Sequence, residues 1–159
     1  MGVLLPGTQH LQNSHPLFVH FPIAFLYGAA LLYFLAWGAG KPEWAWTGLW
    51  MLTLGALSAA AAVATGLHGA EGVMVARSVK ANLLIYHKYI MIGVLALSIA
   101  LDAWAIASWP MPARGRIYFL ALIVVLVAGI TLGADFGGRM VYDYNAGGNA
   151  CAQPIEFTH

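Results

Sequence analysis

Residues 116–134 read RIYFLALIVVLVAGITLGA, a run in which Arg116 is the only charged side chain. A bilayer core about 30 Å thick needs roughly 20 consecutive apolar residues in helical form, and this run supplies them. Three other stretches meet the same condition. Leu17 to Gly38 and Trp44 to His68 contain no Asp, Glu, Lys or Arg, and Ile85 to Ser108 holds His87, Lys88 and Asp102 as its ionisable members. The sequence therefore predicts an all-α chain, an integral membrane four-helix up-down bundle. Its helices fall at about 17–38, 44–68, 85–108 and 116–137. A polar C-terminal tail, 138–159, completes a single transmembrane domain.

Composition leads to the same class. Of the 159 residues 61% are hydrophobic and 8% charged, whereas soluble domains carry about 25% charged residues. Lipid must cover what polar side chains cannot. A net charge of +1 gives no basic patch for nucleic acid. The single cysteine, Cys151, rules out an internal disulfide or a cysteine metal cluster. The first 14 residues lack Lys and Arg, so they read as mature sequence and not as a signal peptide.

The breaks between the runs have mechanisms. Gly38-Ala39-Gly40-Lys41-Pro42 weakens and then stops the first helix, and Trp109-Pro110-Met111-Pro112 stops the third. Both loops are short, so helices 1–2 and 3–4 are antiparallel neighbours. The middle connection, about Gly69 to Leu84, is longer and more polar. No internal repeat is evident in the residue identities. Trp44, Trp46, Trp50, Trp104, Trp109 and Tyr118 gather around the two short loops as an interfacial aromatic belt.

Four spans put both termini and the middle loop on one face, here face A, and the two short loops on face B. His10, His15, His20, His68, His87 and His159 all fall on or just inside face A. Lys and Arg are almost balanced, with Arg77, Lys80, Lys88 and Arg139 against Lys41, Arg114 and Arg116. The uncharged N-terminal tail and the tight basic loops then point to face B as cytoplasmic and to periplasmic termini.

His20 and His87 lie at similar depth in helices 1 and 3, which are diagonal in an up-down bundle. Two imidazoles facing across the axis suit a flat cofactor between the helices, and haem b with His20 and His87 as iron ligands is the natural candidate. His68 is a possible substitute ligand or supporting partner. An imidazole near a helix end also sits well among headgroups, and that reading fits His15 and His68 best. Gly129, Gly133 and Gly137 form a flat strip on helix 4 that admits either a macrocycle or a neighbouring helix. Arg139, with Arg77, Lys80 and Lys88, could meet haem propionates or simply anchor in the interface. Asp102 lies some 22 Å along helix 3 from His87 at about 1.5 Å per residue, so it belongs to face B, where Lys41, Arg114 or Arg116 could pair with it.

Other chemistries lack their motifs. No Gly-rich phosphate loop, Cys-x-x-Cys-His or His-Glu-x-x-His occurs.

The opening His15-Pro16-Leu17-Phe18-Val19-His20-Phe21-Pro22-Ile23-Ala24, the Thr65-Gly66-Leu67-His68 end of helix 2, His87, and the closing Gly137-Gly138-Arg139-Met140-Val141-Tyr142 resemble domain-of-unknown-function family 2231. The resemblance implies small four-helix proteins of the bacterial inner membrane and carries no established activity. Two functions remain open. One is a b-type cytochrome subunit, an electron-transfer and not a catalytic component, relaying electrons between quinone and a periplasmic partner such as a c-type cytochrome. The other is a haem-free subunit that scaffolds a larger respiratory or photosynthetic complex through lipid-facing packing. A small transporter is a weaker third, since no span is broken near its middle.

Overall fold

The computed structural model describes residues 14–73 and 75–146, and all the regular structure among them is helical. Four membrane spans cover His15–Ala39, Pro42–Ala70, Arg77–Ser108 and Arg116–Tyr142. His10, Cys151 and His159 lie outside the described residues. Only 22–39% of each span's most apolar window is buried inside the bundle. The remaining surface shows Leu31, Leu57, Ile99, Val124 and Leu132 outward, an exterior that only lipid can solvate.

Local chemistry sets the ends. Gly40 takes a left-handed φ of 63°, its N–H closing on the Ala36 carbonyl, and Pro42 opens span 2, where its missing N–H is harmless. Gly115, at φ 78°, starts span 4. Span 3 begins earlier than apolarity alone suggests, with a short helix Arg77–Val79 and a π-helical turn Lys80–Leu84 before the α-helix Ile85–Ser108. Polar but helix-competent residues build that first part, which a hydropathy reading assigns to the loop. Span 4 likewise continues to Tyr142, carrying Asp135 and Arg139 on helix.

Spans 1–2 and 3–4 form hairpins, spans 2 and 3 pack side by side, and spans 1 and 4 meet more sparingly. Spans 1 and 3 are thus diagonal. Small residues set the approach within each hairpin. A Cβ on Gly55 would collide with Leu26, and one on Gly129 would lie 3.0 Å from Val94. The glycine strip of span 4 is therefore filled by span 3, with Val94, Met91 and His87 seated on Gly129, Gly133 and Gly137.

Burial repeats where identities do not. Pro22, Leu26, Ala29 and Tyr33 stand to His15 as Val94, Ser98, Leu101 and Ala105 stand to His87, and all eight are buried. Gly48, Leu49, Leu52, Gly55, Ala59 and Ala62 stand to Gly66 as Phe119, Leu120, Ile123, Leu126, Ile130 and Gly133 stand to Gly137, again all buried. The fold is one hairpin used twice, with large and small residues exchanged. Tyr33 fits against Gly48 in the first copy, whereas in the second the large residue is Phe119 and the small one Ala105. Tyr33 and Phe119 then meet across the bundle, ring centroids 5.0 Å apart.

At the end bearing the short loops, Trp46 and Trp109 pack edge to face at 4.8 Å. Two turns deeper the Thr53 hydroxyl donates to Asp102 Oδ1 at 2.7 Å. The expected pairing of Asp102 with Lys41, Arg114 or Arg116 does not form, and the sole ion pair among the described residues is Arg139–Asp143. A basic side chain at the interface would have to reach inward past the tryptophans, whereas Thr53 already sits at the carboxyl's own depth.

Candidate functional site

At the opposite end of the bundle, the start of span 1 and the start of span 3 bring two imidazoles together. His15 and His87 have ring centroids 6.3 Å apart and planes inclined at 78°. Both are half-buried. His20, the expected partner of His87, is exposed. Five residues at about 100° each put His15 and His20 some 140° apart on the helix, so both cannot face the axis. The seam through Pro22, Leu26, Ala29 and Tyr33 carries His15 inward.

Each ring is held in the same way. His15 Nδ1 lies 2.9 Å from the Ala62 carbonyl oxygen and 3.4 Å from Thr65 Oγ1. His87 Nδ1 lies 2.7 Å from the Gly133 carbonyl oxygen. A carbonyl only accepts, so Nδ1 carries the proton in both rings and the neutral imidazole keeps its lone pair on Nε2. One turn beyond each carbonyl is a glycine on which the ring lies. A Cβ on Gly66 would sit 2.9 Å from His15 Cε1, and one on Gly137 would sit 3.2 Å from His87 Cε1. The two tethers close loops of nearly equal length, 47 and 46 residues.

Gly133 thus enters the site through its backbone oxygen, while its Cα is covered by Met91 and Ile90. Arg139 is exposed and pairs with Asp143 at 3.9 Å. His68 is exposed two residues past Gly66, on another side of span 2. Nearby, Tyr86 stacks on Phe136 with centroids 6.0 Å apart, and Met140 closes a small apolar cluster with Val79 and Leu83. No group of three or more His, Cys, Asp or Glu that could hold a metal occurs among the described residues. Reasoning from sequence picked out Gly66 and Gly137 as small residues but did not assign them as seats for the imidazoles, nor the Ala62 carbonyl as a tether. The signal for them was available: each glycine ends a small-residue stripe in line with the start of the preceding span.

The glycine seats make a direct prediction. Gly66→Val puts two methyl groups where the His15 ring lies, and overpacking of this kind costs about 1–3 kcal/mol. The ring is expected to leave the Ala62 carbonyl, and ¹⁵N spectra of histidine-labelled protein should show loss of the fixed Nδ1–H form. Gly93→Val, where a Cβ meets nothing within 4 Å, should leave those signals unchanged.

A family model described as "Predicted membrane protein (DUF2231)" matches residues 12–150. No curated protein and no solved structure matches the chain.

Proposed function

The chain belongs to that family of predicted membrane proteins, and from this premise we propose that it is a b-type electron-relay subunit of the bacterial inner membrane, in which His15 and His87 would hold a haem. The observation that carries the reading is the pair of identically tethered imidazoles from diagonal spans. Centroids 6.3 Å apart would let the two imidazoles hold one metal atom between them.

Among the described residues two imidazoles converge here, too few to hold a bare cation by themselves, whereas a haem would bring its own ring nitrogens. When bound, haem accepts and gives one electron at its iron. The protein's part is to orient and to tune. Nδ1–H donation to a backbone carbonyl fixes the ring that ligates and raises its basicity, the usual outer-shell arrangement of a ligating histidine. Arg139, whose exposed pair with Asp143 is weak, can turn to a propionate. His20 and His68 serve as interfacial side chains. Quinone would supply electrons and a periplasmic c-type cytochrome would take them, with this end of the bundle and both termini periplasmic.

A second reading has its own support. The two histidines also tie span 1 to span 2 and span 3 to span 4, and no buried side-chain nitrogen or oxygen among the described residues lacks a partner. In a haem-free scaffold the imidazoles would be inter-span ties and nothing more. A pyridine haemochrome spectrum of protein purified gently from its native membrane separates the two. About one haem b per chain is expected; haem-free protein with its complex intact would leave the scaffold.

A further inference from the structure

Away from the histidines, spans 1 and 4 part company at the short-loop end and leave two adjacent depressions. The first, of about 290 Å³, is walled by Trp37, Gly40, Pro110 and Arg116. The second, of about 260 Å³, is lined by Phe34, Trp37, Ile117, Leu120, Ala121 and Val124, all apolar. Trp37 is common to both, and Arg116 and Ile117 are neighbours in sequence, so the two hollows adjoin in one line along the start of span 4. That line starts at the level of the interfacial tryptophans and runs inward along span 4. From Ile117 to Val124 it covers about 10 Å at 1.5 Å per residue. Two turns further in, Tyr27 and Thr131 hydrogen bond across spans 1 and 4.

The chemistry changes along this line in the order of a lipid molecule. Arg116 is the only charged side chain lining the outer hollow. Its Nε–H reaches the Pro112 carbonyl at 3.4 Å, which uses one of five guanidinium donors and leaves a fork suited to a phosphate. Lys41, the neighbouring cation, is laid over the Trp44 ring at 5.4 Å. The inner hollow offers no polar side chain and accepts only hydrocarbon.

We infer that this line of hollows is a site for one anionic glycerophospholipid, its phosphate on Arg116 and one acyl chain in the groove between spans 1 and 4. The inference does not depend on haem. Charge complementarity selects an anionic head over a zwitterionic one, and the groove requires a chain, so inorganic phosphate alone does not satisfy the site. A single bound lipid would also fill the seam where the bundle packs least.

The test reconstitutes the full chain in vesicles of equal phosphatidylglycerol and phosphatidylcholine with matched acyl chains, followed by mild extraction and native mass spectrometry. The wild type should retain one phosphatidylglycerol, favoured about tenfold, the effect expected of hydrogen bonds to a charged group. Arg116→Gln should bring the two lipids to parity, and Ala121→Phe, which fills the groove, should remove the bound lipid of either kind. Both side chains are exposed, and unchanged helical circular dichroism will show that the variants fold. Phosphatidylglycerol retention untouched by either variant overturns the site. So does competition by inorganic phosphate at an affinity matching the lipid's. Recovery of an isoprenoid quinone in the groove from native membranes would equally overturn it.

Discussion

His87→Ala is expected to remove the b-type absorbance of the purified protein completely, while His20→Ala leaves it in place. The contrast follows from facing. His87 is tethered at 2.7 Å to the Gly133 carbonyl and stands 6.3 Å from His15, whereas His20 is exposed on the outside of span 1. His15→Ala should match His87→Ala. Haem retained in His87→Ala, or lost in His20→Ala, would reject the pairing.

The largest stability loss should come from Phe119→Ala. Phe119 is fully buried, with the Tyr33 ring at 5.0 Å and the Trp104 ring at 5.7 Å, both edge to face. In water, such a truncation costs about 3–5 kcal/mol. Between membrane helices the transfer term shrinks, because lipid tails are as apolar as the core, and lost packing dominates. The expected cost is therefore near the lower value, about 3 kcal/mol. Reversible unfolding in mixed detergent micelles measures it. Ile117→Ala, with Ile117 59% exposed, should stay within about 0.5 kcal/mol of wild type. Equal effects at the two positions would mean that the aromatic cluster does not organise the bundle.

Much of the fold was legible because hydropathy over about 20 residues is a strong signal, and glycine and proline mark the loops at Gly40, Pro42 and Pro110. The beginning of span 3 was not, since Arg77, Lys80 and Asn82 look like loop while folding as helix outside the apolar stretch. The site was legible only in part. The pattern of histidines points to one end of the bundle, where His87 faces His15 of the diagonal span instead of the expected His20. Choosing between His15 and His20 requires the rotation of span 1 about its axis. That rotation is fixed by Leu26 lying on Gly55 and Tyr33 on Gly48, contacts between segments that hydropathy treats as uniform. The seam from His15 through Pro22, Leu26 and Ala29 would have given it. The doubled hairpin escaped notice for a related reason: it repeats burial at equivalent positions and neither residue type nor size, so Gly48 and Phe119 are equivalent in place and opposite in size.

Each imidazole is clamped inside its own hairpin, by a carbonyl and a glycine of the helix that follows. Each half thus carries its own tether for its own ring. The two halves can therefore enter the bilayer in turn, each with its histidine already set, and the pair comes into being only at the final docking step. A molecule that bridges the rings would act as a rivet at that step, making completion of the site and completion of assembly a single event.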